Sequence, residues 1–303
     1  MTPPSKSPNS KAPNASLLSA TDLSDPHLAP YVNLRDAHLA RAHPSDPDRA
    51  EGLFIAEGHA VVRTLLASRF ETLSVLASER RVHTVQSDVP DGVPLYVLPD
   101  DAMNELVGFD IHRGVLAAGK RRPPPPLADL AAAATTVVAL EGLSNHDNVG
   151  SIFRLAAALG GDRPRVLLDP ASCDPLYRKS IRVSMGHALR VPFARVDNLP
   201  AALRSLRDQG FDTLALETTE NAVDLAAVEP TGRPRVVVVG AEGPGLTPET
   251  LAAVDRVARI PIDPGVPSLN VATAAAIALY QLAPPPLPSP PPRPTPATPT
   301  NAP

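Results

Sequence analysis

Apolar positions along this chain follow two rhythms in turn. In residues 58–68 (GHAVVRTLLAS) they recur every three to four places, the spacing of one helix face. In LSVLAS from Leu73, in VPLYVLP (93–99) and in GVLAAG (114–119) they form short runs of strand length. DDAMNELVG reads as a helix opened by a capping aspartate. Farther on the runs are more apolar and β-branched: TTVVALEGL (135–143), RVLLD (165–169), DTLALET (212–218), RVVVVG (235–240) and VARIPI (257–262). Helical patterns separate them: SIFRLAAALG, LPAALRSLRDQG and TPETLAAVD, with SLNVATAAAIALYQLA closing the series. Strands that are apolar on both faces and alternate with helices predict an α/β fold with a mostly parallel, doubly covered sheet.

Proline then sets the boundaries. Of 38 prolines, 11 crowd into residues 284–303, a tail with too little apolar surface to offset its ordering entropy. That tail is either a passive extension or a ligand for a proline-reading domain. Residues 1–27 read as a second disordered extension. Pro123 to Pro126 cannot enter a helix interior or a central strand, so residues 120–128 read as a stiff linker. The expected organisation is a small α/β domain at 28–119 and a larger one at 129–283. The single cysteine, Cys173, excludes a disulfide framework and a Cys-rich zinc site, and no ligand-spaced cluster implies a metal. Without a long apolar run or a signal-peptide core, the expectation is a cytoplasmic protein with no membrane partner.

Three loops at the ends of strands carry the candidate chemistry. Asn145 to Ser151 (NHDNVGS) leads into a helix, with Asn148 placed as an N-cap, Gly150 permitting a close approach, and Arg154 one turn further among apolar neighbours. Gly240 to Leu246 (GAEGPGL) places Glu242 at the carboxyl end of the most apolar strand, the edge where open α/β sheets bind ligands. Ile260 to Asn270 (IPIDPGVPSLN) runs into the Ala-rich helix, with Ser268 as its cap and Asn270 in its first turn. Read singly, each loop is equally a capped helix or a tight turn, with Arg154 in a surface ion pair.

Taken together, NHDNVGSIFR, GAEGPGL and IPIDPGVPSLNVA resemble, in order and spacing, motifs 1, 2 and 3 of the SpoU (TrmH-like) RNA ribose methyltransferases of the SPOUT superfamily. The resemblance covers about residues 135–283. The first segment is similar to the small RNA substrate-binding domain that often precedes the catalytic one, on the strength of FIAEGHAVVRTLL and VLAAG. The family's implications are a trefoil-knotted sheet domain, a homodimer whose interface includes the last helix, and S-adenosyl-L-methionine held by Gly240, Ile260 and Leu269. The implied reaction is methylation of a ribose 2′-hydroxyl in tRNA or rRNA. Arg154, Asn148, Glu242, Ser268 and Asn270 match its catalytic positions. Arg154 is then either the base, with a neighbouring group to take the proton, or the fork that grips a phosphate and fixes the ribose. Pro264 and Ala272 depart from the usual glycine and serine, which puts substrate preference in doubt.

RNA binding needs positive charge, whereas the chain totals 28 Lys+Arg against 32 Asp+Glu, a formal −4. The distribution is uneven. Residues 163–195 hold seven cationic side chains against Asp169 and Asp174, and Arg178, Lys179 and Arg182 stand out as the RNA-binding candidates. The alternative is a solvated charged face. Two rivals stay open: a dinucleotide enzyme, which requires the glycine loop after the first strand, and a catalytically silent RNA-binding protein of the same fold.

Overall fold

The computed structural model describes residues 17–19, 26–41 and 52–282. The tail expected at 284–303 and most of the extension expected at 1–27 lie outside them. Two sheets organise the chain. The first has the order β1-β4-β3-β5-β2, built from β1 (Leu17–Ser19), β2 (Leu53–Glu57), β3 (Thr72–Ser78), β4 (Leu95–Leu98) and β5 (Val115–Lys120). Strands β1, β4 and β3 are parallel, while β5 runs antiparallel to β3 and β2. Its helices are α1 (Asp36–Leu39), α2 (His59–Leu66), α3 (Val82–Val85) and α4 (Asp100–Val107).

Each face of this sheet buries its own apolar cluster. One gathers Leu53, Ile55, Leu76 and Leu116 under α4 and Tyr31. Tyr31 is wholly buried, and its hydroxyl accepts the Ala118 amide (3.1 Å) and pairs with Ser74 Oγ (2.8 Å). The other gathers Phe54, Ala56, Val75 and Ala117 under α2, and it also takes in Leu176, Ile181 and Leu189 from far along the chain.

The second sheet is all parallel, in the order β10-β12-β9-β11-β6-β7-β8. After α5 (Leu127–Ala131) the chain runs β6 (Thr136–Glu141), α6 (His146–Leu159), β7 (Pro164–Leu168), α7 (Arg178–Val183), β8 (Phe193–Arg195) and α8 (Leu199–Asp208). It continues through β9 (Asp212–Leu216), β10 (Val223–Asp224), β11 (Arg235–Gly240), α9 (Pro248–Leu251), β12 (Arg256–Arg259) and α10 (Val271–Leu282). The two-residue period divides the Val runs between two cores. Val138, Leu140, Val237 and Val239 face α6 and α10, while Val137, Ala139, Val236 and Val238 face α8 and α5. This is the α/β architecture that the alternating pattern predicts.

Several local expectations give way to tertiary context. Strand β1 and the first two residues of the 3-10 turn Pro26–Tyr31 stand within the stretch read as disordered, and β4 offers an open edge to β1. The expected linker keeps only its middle, since Lys120 completes β5 and α5 begins at Leu127. Helix α4 starts after Pro99 with no side-chain cap, so Asp100 does not cap it. The strand expected at 257–262 stops at Arg259. Gly150 does approach something closely, namely the neighbouring helix: a Cβ there would lie 2.6 Å from the Ser180 carbonyl of α7. Replacing Gly150 with Ala should therefore cost about 1–3 kcal/mol, as overpacking does. A lowered urea midpoint at unchanged m would show it, and an unchanged midpoint would mean that α7 yields freely.

Candidate active site at the carboxyl edge of the parallel sheet

Because every strand of the second sheet points the same way, the loops after β6, β11 and β12 open on one edge. The Asn145 side chain caps α6 by accepting the Asp147 amide at 2.8 Å, so the cap is Asn145 rather than Asn148. Asn148 lies three residues into the helix, 7% exposed, and is free for other partners. Its Nδ2 donates to Glu242 Oε1 at 2.9 Å, and its Oδ1 accepts from Asn270 Nδ2, also at 2.9 Å. The Asn270 amide gives its second proton to the same Glu242 oxygen at 3.0 Å. Asn270 Oδ1 accepts the backbone amides of Ala272 (2.9 Å) and Thr273 (3.3 Å), which makes Asn270, not Ser268, the cap of α10. One triangle of side chains thus joins all three motifs. An amide has two protons and a carbonyl to offer, and Asn270 uses all of them here.

Beside the triangle lies a cavity of about 410 Å³, lined by Gly240, Glu242, Ile260, Ser268 and Leu269 with Leu216, Glu217 and Val239. The three residues expected to hold the cofactor therefore share one wall, together with two of the expected catalytic ones. Backbone forms much of that wall. A Cβ on Gly240 would meet the Gly245 carbonyl carbon at 2.6 Å, and Gly245 has φ +70. Two carboxylates brace this turn, and the sequence motifs did not single them out. Glu217 Oε2 accepts the Leu246 amide at 2.9 Å. Glu141 accepts the Thr247 amide (3.0 Å) and hydroxyl (2.8 Å) and the Thr250 hydroxyl (2.7 Å). Their common signal is an acidic residue at the carboxyl end of an otherwise apolar strand.

Arg154 stands apart. It is exposed on α6, does not line the cavity, and has no ion pair or hydrogen bond among the described residues. The surface ion pair that a bland reading assigns to it is absent. The His187 pKa is held below the ordinary histidine value by burial, then by Arg190 and Arg154. His146 is also lowered, chiefly by burial, and its ring lies 4.1 Å from that of Tyr177.

Arg178, Lys179 and Arg182 fold into α7, and each of the three faces a carboxylate. Arg178 Nε lies 3.8 Å from both Asp36 and Glu57, and its guanidinium sits 4.5 Å from the Phe109 ring centroid. Arg182 Nη1 is 3.4 Å from Glu57 Oε2, and Lys179 Nζ is 2.7 Å from Asp147 Oδ2. Arg178 and Arg182 thus hold the two sheets together through the buried Glu57. Only Lys179 sits well out in solvent, at 46% side-chain exposure. No group of acidic, histidine or cysteine residues that could hold a metal ion occurs among the described residues, and none of their helices is long and apolar enough to cross a membrane.

Comparison with known proteins points the same way as the geometry. Residues 135–280 match the model of the SpoU rRNA Methylase family. A Mycobacterium bovis protein carried under the name uncharacterized tRNA/rRNA methyltransferase is 43% identical over 87% of this chain and 92% of its own length. Among solved structures, the AdoMet-bound rRNA methyltransferase of Sinorhizobium meliloti superposes with a TM-score of 0.71 at 25% identity, covering 88% of this chain and 97% of that one. The SpoU methyltransferase AviRb of Streptomyces viridochromogenes, in complex with AdoMet, shares the fold at a TM-score of 0.62 and 20% identity, covering 76% of this chain and 88% of that one. With its three motifs tied into one triangle beside a glycine-walled cavity, and with a relative at this identity along nearly its whole length, the chain belongs to the SpoU family of RNA methyltransferases.

Proposed function

We propose that this chain transfers a methyl group from S-adenosyl-L-methionine to a ribose 2′-hydroxyl of rRNA or tRNA in the cytoplasm. The observation that carries this reading is the Asn148–Glu242–Asn270 triangle set against the cavity. That cavity falls within the range of small-molecule sites, roughly 300–1,000 Å³. Its residues suit the cofactor: apolar Leu216, Val239, Ile260 and Leu269 to cover an adenine face, and open backbone at Gly240 to Gly245 to receive polar edges. Gly240, Ile260 and Leu269 would hold the group. Once bound, it supplies a sulfonium methyl that needs no further activation.

What remains for the protein is to place the ribose oxygen in line. Arg154 grips the phosphate beside the target and fixes the ribose, a task that suits its planar fork. Glu242 and Asn148 orient the ribose edge, and Ser268 and Asn270 shape the loop at the cavity mouth. Arg154 lies outside the cavity of its own copy, and α10 packs on α6 while leaving Ile277 and Tyr280 exposed, Tyr280 at 81%. We infer a homodimer about this α6–α10 face, with each Arg154 serving the cavity of the other copy. The expected knotted path through the loops after β11 and β12 belongs to the same reading.

Four outcomes are expected. Radiolabelled S-adenosyl-L-methionine should label either ribosomal RNA or tRNA, with the label recovered in an alkali-resistant dinucleotide; label released by alkali would overturn the 2′-hydroxyl assignment. Arg154→Ala should lower turnover about 100-fold or more, the scale of a misplaced reactant, with cofactor affinity unchanged by calorimetry; full residual turnover would remove Arg154 from the reaction. Gly240→Val should abolish cofactor binding because its side chain enters the Gly245 backbone. If sites are shared, mixing the Arg154→Ala and Gly240→Val proteins should restore about a quarter of wild-type activity through mixed dimers, one intact site in each. No recovery in verified mixed dimers would place Arg154 at its own cavity.

A further inference from the structure

The arginines along the seam between the two sheets divide into two sets. Arg121 is matched to Asp174 at 2.6 Å, and Arg178 and Arg182 are matched to Glu57. Arg69, Arg122 and Arg165 have no carboxylate within ion-pairing distance among the described residues. They come from three separate parts of the chain: the turn after α2, the proline segment, and the start of β7. The Arg69 guanidinium carbon lies 4.9 Å from the Phe70 ring centroid and 5.7 Å from that of Phe193. Arg122 Nη1 donates to the Arg69 carbonyl at 2.8 Å, and Arg165 Nη1 donates to the Pro164 carbonyl at 2.9 Å. Arg69, Arg122, Phe70, Phe193 and Pro123 to Pro125 line a second cavity, about 310 Å³. The three prolines stiffen the wall that presents Arg122.

Like charges brought together without a partner disfavour their own charged forms. Burial, then Arg122, then Arg165 push the Arg69 pKa down, and burial with Arg163 does the same to Arg165. An anion placed among them relieves that cost. In a chain of net charge −4, this is a local exception.

We propose that this groove binds backbone phosphates of the RNA substrate, as a second contact separate from the methyl-transfer site. The proposal rests on the RNA reading above and adds where the RNA runs. Arg165 and Phe193 stand at the amino ends of β7 and β8, whereas Asn148 and Gly240 stand at the opposite, carboxyl edge of the sheet. Five residues of β7 separate the two edges by roughly 15 Å. A mononucleotide cannot reach both, whereas a polymer with regularly spaced phosphates can. The planar guanidinium fork suits phosphate, and the Arg69 and Arg122 forks in the groove, with Arg165 on the strand beside Phe193, give affinity without reading sequence.

The test is filter binding of unmodified ribosomal RNA transcripts across a salt series, alongside methyl-transfer kinetics. Arg122→Gln with Arg165→Gln should weaken RNA binding about 10-fold at 0.1 M salt and flatten the log–log salt slope by about 1.5, as loss of two phosphate contacts requires. Cofactor affinity and kcat at saturating RNA should not move. Arg69→Lys should keep the slope, since charge is retained, and urea midpoints should confirm folding. Unchanged affinity and slope in the folded double variant would overturn the proposal, as would equal competition by polyglutamate, which would make the groove a site for acidic protein. Wild-type protein that binds RNA through these arginines yet methylates neither rRNA nor tRNA would sink the proposed function and leave the groove standing. Salt-independent or absent RNA binding would sink the groove.

Discussion

One carboxylate oxygen, Oε1 of Glu242, receives amide protons from two asparagines that stand 122 residues apart in sequence. Much of the site follows from that convergence. Asn148 can reach Glu242 only because Asn145 has taken the capping task, and Asn270 can do so only while its carbonyl side caps α10. The start of α6, the glycine turn after β11 and the start of α10 are therefore fixed against one another by three hydrogen bonds within one group. Glu141 and Glu217 hold the same turn from its other end. A parallel sheet makes this possible, because it delivers every strand's carboxyl end to one edge.

The distribution of positive charge answers to two demands at once. Arginine is used to join the two sheets, where Glu57 and Asp36 are buried and need a cation close by. It also remains unmatched where those sheets leave an open groove. Both uses draw on the same residue type in neighbouring stretches of sequence, so charge counting along the chain cannot separate them. Burying Glu57 without its arginines would be expensive, since a lone buried carboxylate has no water to replace them.

Legibility in the sequence followed the length and purity of each signal. RVVVVG and TTVVALEGL have four or more consecutive apolar or β-branched residues, and both are central strands. FAR and VD, at β8 and β10, are too short to carry any period, and pairing with a neighbour alone makes them strands. Motifs 2 and 3 named Gly240, Glu242, Ile260, Ser268 and Leu269 of the cavity wall, while Leu216 and Glu217 of the same wall belong to no motif. The capping assignments failed at Asn148 and Ser268 for one physical reason: several adjacent residues can cap a helix, and tertiary hydrogen bonding decides which is released for other work. Arg178 shows the same limit for charge, since Phe109 and Glu57 are distant in sequence. Strand β1 illustrates a third case, in which the partner strand supplies the order that local composition lacks.

The apolar cluster beneath α2 also counts Leu176, Ile181 and Leu189 among its members, each at most 3% exposed. These residues belong by connectivity to the parallel sheet and by packing to the mixed one. A proteolytic cut at Pro123 to Pro126 would therefore separate two pieces that each bare an apolar face on parting, one at α7 and one at α2. The proline run is a boundary in the sequence, while the apolar cluster draws residues from both sides of it. Amide protons of α7 should exchange in step with those of β2 and β5 as a single unfolding block.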